Sequence, residues 1–186
     1  MKRYEKKHIF MAIAIGFLLL TPVILLILPT TVVNTLYFST SQLVVYATSK
    51  IYLVYGASLL FFSLAIFLIF LLWDKKVVFL ASPLCFVLSG VLLFIASLHY
   101  ISIGTDELSY RPLFTTEEHR YNWDEITSAI SYEDEMEMPI KYELTFNNGE
   151  QLTLMGNAYV QEYRFYINAL IEENGTELEK QLVSAD

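Results

Sequence analysis

The chain has 186 residues, 55 % of them hydrophobic, and a net charge of −8, which leaves room for one modest domain beyond any part held in lipid. The charge is unevenly divided: residues 1–99 hold seven Lys/Arg and two acids, and residues 100–186 hold five bases and eighteen acids, or +5 against −13. The acidic half excludes a nucleic-acid-binding role, whose affinity rests on cations meeting phosphates. A single cysteine, Cys85, excludes an intrachain disulfide framework and a cysteine-built metal site.

The boundary between the two halves falls near His99 and Tyr100. Residues 9–29 carry no Asp, Glu, Lys or Arg and as a helix would cross about 30 Å, the thickness of the hydrocarbon core. Their apolar run exceeds that of a signal peptide, and no Ala-x-Ala-like site follows Pro29, so they read as a retained span. Residues 51–73 and 77–98 repeat the pattern around Asp74-Lys75-Lys76, a tight polar turn between antiparallel spans. Pro22 and Pro83 are candidate kinks. The transmembrane region is thus expected over 1–99, with three membrane-spanning helices.

Residues 30–49 are uncharged, yet they include Asn34, Gln42 and eight Ser or Thr residues. They read as an external loop or an interfacial helix, with a fourth span as the alternative. Lysines and arginines near span ends set orientation. With three spans, Lys2, Arg3, Lys6, Lys7, Lys75 and Lys76 lie on the cytoplasmic side and only Lys50 outside, which puts the C-terminal domain outside the cell membrane. A fourth span would place that domain in the cytoplasm.

No acid, Lys, Arg or His interrupts the core of any span, which argues against transport or intramembrane catalysis. Ala81, Cys85 and Ser89 recur every four residues and form one small-residue stripe where a neighbouring helix can come close. Packing within the hairpin and homo-oligomerisation are both served by such a stripe. Gly56 and Ser63 offer a similar face on the second span.

From Tyr100 the pattern changes to short β-branched and aromatic segments parted by turn residues. Strands are predicted near 100–104, 107–113, 118–122, 127–132, 139–146 and 150–155. The clearest is the hairpin of residues 141–154 around Asn148-Gly149, which supplies positive φ. It turns Tyr142, Leu144 and Phe146 to the same side as Leu152 and Leu154. After Asn157, a plausible helix cap, Val160, Tyr163, Ile167, Leu170 and Ile171 make one apolar stripe of a helix that ends at Asn174-Gly175. Thr176–Asp186 reads as a frayed polar tail.

This order, an α+β domain over 100–175 with an antiparallel sheet closed by one C-terminal helix, resembles the pleckstrin-homology-like fold of small bacterial membrane proteins. The resemblance rests on Tyr100–Ile103, Glu107–Tyr110, Tyr121–Ile126, the hairpin at Asn148-Gly149 and the helix. It implies a binding or scaffolding module without catalytic residues. Relatives that bind phosphoinositides use basic loops, whereas here Arg111, Arg120, Lys141, Arg164 and Lys180 face eighteen acids, so anionic lipid headgroups are not the expected ligand of this domain.

The acidic run Glu133–Glu137 lacks the spaced ligands and glycine of a calcium loop. Glu117-Glu118-His119 and Asp124-Glu125 hold adjacent residues, which point to opposite faces of a strand and do not make an acid/base pair. Trp123 is expected to anchor the sheet, and Tyr163 and Ile167 to form a packing or interaction face. The sequence therefore predicts a multi-pass protein that presents a small acidic domain to protein partners, with no enzymatic activity and no cofactor or metal. The alternative is an accessory subunit that acts on a transporter or channel through its spans.

Overall fold

The computed structural model describes residues 3–136 and 138–183. Lys2 of the basic N-terminus, Glu137 of the acidic run and residues 184–186 of the expected tail lie outside them. The chain divides into a helical unit (residues 3–36, 47–100 and 112–116) and a β unit (residues 37–46, 101–111 and 117–183).

Three helices of the helical unit are long and apolar enough to cross a membrane. Helix α1 spans Arg3–Tyr37, 35 residues, and passes through both Pro22 and Pro29. Its length, about 52 Å at 1.5 Å per residue, exceeds the span predicted to stop at Pro29. Helix α2 spans Ser49–Leu71 and helix α3 Val78–Leu98, the antiparallel hairpin that the turn Asp74-Lys75-Lys76 implies.

The seam of that hairpin follows a seven-residue period. Positions 51, 58 and 65 of α2 meet positions 96, 89 and 82 of α3, and all six are buried. Ser58 Oγ donates to the Ser89 carbonyl at 2.8 Å, and Ser89 Oγ donates to the Ser58 carbonyl at 2.8 Å. Ser82 Oγ donates to the Ala65 carbonyl at 2.9 Å. Hydroxyls that bond backbone oxygens of the facing helix need close approach, which small side chains allow. Ser89 belongs to this seam, whereas Ala81 and Cys85 are only partly buried. The buried seam on α3 runs through 82, 89 and 96. Gly56 and Ser63 face α1 instead: Ser63 Oγ donates to the Ala14 carbonyl at 3.1 Å, and a Cβ on Gly56 would lie 3.7 Å from Leu25. Thr48 Oγ1 and His99 Nε2, 2.7 Å apart, close the hairpin at its other end.

The β unit corrects two boundaries. Residues 30–49 are not a single loop or helix: 30–37 continue α1, and strand β1 (Gln42–Tyr46) follows. Strand β1 pairs antiparallel with β2 (Tyr100–Gly104), Tyr46 opposite Ile101 and Val44 opposite Ile103. Strands β3 (Glu107–Arg111) and β4 (His119–Asn122) complete a sheet of order β1-β2-β3-β4. After a 3-10 turn at Trp123–Glu125, strands β5 (Ile126–Glu133), β6 (Pro139–Phe146) and β7 (Gln151–Met155) build the second sheet. Its order is β7-β6-β5-β8, where β8 is Leu178–Leu182, paired in parallel with β5. The expected tail thus contains a strand, held by ladder bonds and by Thr176 Oγ1 donating to the Ile126 carbonyl at 2.6 Å, and the β unit takes in residues 37–46 and 178–182 outside the range 100–175.

The single predicted C-terminal helix is two, α4 (Ala158–Glu162) and α5 (Arg164–Glu173), broken at Tyr163. Asn157 caps α4 by accepting a bond from the Val160 N–H at 3.0 Å. In the β6–β7 turn only Gly149 takes positive φ, +85°, as fits a three-residue loop with a glycine bulge. Gly156 is irreplaceable for another reason: a Cβ there would sit 1.9 Å from the Pro139 carbonyl oxygen. One core unites both sheets and the helices, from Val44, Tyr46, Leu108 and Trp123 to Leu144, Phe146, Leu154, Val160, Ile167 and Ile171.

Candidate functional site

Trp123 is 1 % exposed and its indole N–H donates to the Gly104 carbonyl at 3.1 Å, which ties the turn after β4 to the end of β2. Ile167 is fully buried, and Tyr163, at the junction of α4 and α5, packs partly against the same core. These three therefore sit in or on the core, with Ser89 in the α2–α3 seam and Ala81 and Cys85 at its margin.

Two features were not singled out from the sequence. The first is a polar cluster where the two sheets meet. Glu150, beside the β6–β7 turn, accepts from Tyr121 Oη at 2.6 Å and Tyr110 Oη at 3.2 Å, and lies 2.8 Å from His119 Nδ1. Asn148 Nδ2 donates to Tyr121 Oη at 2.7 Å. The rings of Tyr110 and His119 stack with centroids 5.0 Å apart, and Tyr121 stacks on Phe146 at 3.8 Å. The bond from Tyr121 is the main influence holding the Glu150 carboxyl below its usual range, and desolvation raises the Tyr110 and Tyr121 phenols above theirs. Both shifts move away from neutrality, where a general acid or base would be poised. The cluster is a clasp between β3, β4 and the β6–β7 turn.

The second is the outer face of α5. Phe165 and Tyr166 are 70 % and 62 % exposed, and the Arg164 guanidinium lies 4.6 Å over the Phe165 ring. Adjacent aromatics beside an arginine are the composition of interface anchors. Neither lies on the apolar stripe of the helix, and that stripe marks only its buried side.

The remaining bases of the domain are engaged by carboxylates: Arg111 with Glu118 at 3.0 Å, Arg120 with Glu118 at 2.6 Å, Lys180 with Glu133 at 3.3 Å, and Lys141 with Glu143. The bond to Glu143 raises the Lys141 amine above its ordinary value and lowers the Glu143 carboxyl. Among the described residues no three His, Cys, Asp or Glu gather as metal ligands.

No family model matches the chain, and no curated protein matches it. Among solved structures, the C-terminal domain of an unknown protein from Leishmania infantum is similar at 14 % identity and a TM-score of 0.29, over 39 % of this chain. The match spans just under two thirds of that chain, 66 %. Likeness at this level bears on neither fold nor function.

Proposed function

We propose that the protein is a three-span membrane protein that holds its two-sheet domain, of pleckstrin-homology-like type, at one face of the bilayer as a docking module for a protein partner. The observation that carries this reading is the pairing of β1 with β2. Strand β1 precedes α2 and strand β2 follows α3, so between two neighbouring strands of one sheet the chain makes two long apolar helices. Two crossings return it to the side it left, and β1 and β2 meet only if both connections lie on that side. A fourth crossing within residues 30–49 is incompatible with β1 being a strand of the sheet.

Two four-stranded sheets with helices α4 and α5 near the end support the pleckstrin-homology-like reading, while β8 after the helices and the two spans inserted between β1 and β2 are departures from it. The lysines favour the domain outside and the N-terminus in the cytoplasm. The ion-paired bases favour a protein over an anionic headgroup as partner, and the shifted clasp favours a structural over a catalytic role.

The exposed Phe165 and Tyr166 are the surface through which this module would bind. The test is affinity purification of the full chain from detergent extracts, comparing wild type with the double variant Phe165→Ser, Tyr166→Ser. Loss of the co-purifying protein with unchanged thermal unfolding supports docking through α5. Retention by that variant, with loss on altering the lipid-facing surface of the spans, supports the accessory-subunit alternative.

A further inference from the structure

Pro112–Thr116 links β3 to β4 and belongs to the helical unit. The segment is uncharged between Arg111 and Glu117. Its turn is closed by Thr115, whose N–H and Oγ1 reach the Pro112 carbonyl at 3.4 and 3.1 Å. Leu113 packs on the cluster of Ile51, Tyr55 and Ala96. Those residues occupy the first two turns of α2 and the last turn of α3, the level at which both apolar helices end.

Phe114, next to this anchor, has φ +69°, the only positive value of a non-glycine among the described residues. A bulky side chain pays for that conformation and holds it only where its surroundings fix it. Here the packing of Leu113 and the Thr115 bonds fix it, and the outcome is a phenyl ring that is 69 % exposed. In water, both the strain and the exposed ring are unfavourable. At the boundary between hydrocarbon and headgroups a phenyl ring can be buried from water.

We infer that Phe114 is an interfacial membrane anchor, a ring that the strained Pro112–Thr116 turn inserts among the lipid headgroups beside the ends of α2 and α3. It gives the β3–β4 connection its own hold on the bilayer. The inference rests on the membrane-spanning reading proposed above, and the experiment separates the two.

The full chain in a Cys85→Ser background, with Phe114→Cys, Leu53→Cys or Thr127→Cys, is labelled with an environment-sensitive fluorophore and reconstituted in phosphatidylcholine vesicles. The lipids carry nitroxide quenchers either near the headgroup or at mid-chain. Leu53 is an exposed residue of α2 and Thr127 an exposed residue of β5. The expected result is emission at 114 shifted to the blue of that at 127, and quenched more by the shallow nitroxide than by the deep one. Quenching at 53 but not at 114 overturns the inference and leaves the membrane reading intact. Quenching at 114 that is strongest from mid-chain overturns the interfacial placement, and absence of quenching at 53 and 114 alike overturns both.

Discussion

The discontinuity of the β unit has a measurable consequence. A fragment of residues 100–175 omits β1, which contributes Val44 and Tyr46 to the core, exposed by only 6 % and 2 %. It also omits β8, which contributes Leu178, exposed by 9 %. Side chains of this size each stabilise by about 1.5–3 kcal/mol when buried, and extended-chain bookkeeping overstates the gain by roughly 10–40 %. The fragment should therefore lose on the order of 4–6 kcal/mol, out of the roughly 5–10 kcal/mol that a domain of this size has. It would sit near the threshold of folding. A second chain restores the missing strands: residues 38–46 joined to residues 100–183 by a linker of about four residues, a common hairpin length. That junction is short because Tyr46 lies opposite Ile101, so removal of α2 and α3 turns β1 and β2 into an ordinary hairpin. Thermal and urea unfolding followed by circular dichroism, with amide dispersion by NMR, should show a cooperative transition for the joined chain and a weak or absent one for 100–175. Equal stability of the two would refute the assignment of β1 and β8 to the core.

Ile167→Asp should destabilise the joined domain by about 4 kcal/mol or more, since it puts a charge at a fully buried position, and Ala169→Asp on the exposed face by less than about 1 kcal/mol; urea titration compares them. Ser58→Ala and Ser89→Ala each remove one hydroxyl bond to the facing backbone carbonyl and should each destabilise the full chain by about 0.6–1.7 kcal/mol when it is unfolded in mixed micelles, and no effect from either would dissolve the reciprocal pair. The Glu150 carboxyl is depressed chiefly by its bond from Tyr121, so its contribution is complete above the ordinary carboxyl value and is lost as pH falls through the lower, folded one. Glu150→Gln should therefore flatten the loss of stability below about pH 4.5, and an acid limb identical to that of the wild type would show that Glu150 does not hold the sheets.

Much of the β unit is written in local patterns. The alternation Tyr142, Leu144, Phe146 marks the inner face of β6, and the Asn148-Gly149 turn marks its end. Strand β1 is not local: Leu43-Val-Val-Tyr46 has β-branched and aromatic character, but its partner lies more than 50 residues away across two apolar helices. In a stretch already apolar and free of charge, the same residues read equally well as headgroup contacts. Strand β8 fails for the opposite reason. Leu178-Glu-Lys-Gln-Leu182 is mostly polar, and only pairing with β5 makes it a strand. Between α2 and α3, the four-residue spacing of Ala81, Cys85 and Ser89 drew attention from the seven-residue spacing of 82, 89 and 96, the period that two antiparallel helices keep in contact. The clasp around Glu150 gathers residues from β3, β4 and a turn some 40 residues apart, which no local pattern displays.

In the proposed topology the connection carrying β1 and the domain after α3 share one side of the membrane, the outer one. Single cysteines at Thr40 and Thr127, both exposed, and at Lys75 in the α2–α3 turn, in a Cys85→Ser background, test it by labelling with a membrane-impermeant maleimide. In intact cells, positions 40 and 127 should react together and position 75 only after permeabilisation. Reaction at 75 with protection of both 40 and 127 would reverse the orientation, and opposite behaviour of 40 and 127 would contradict a shared side.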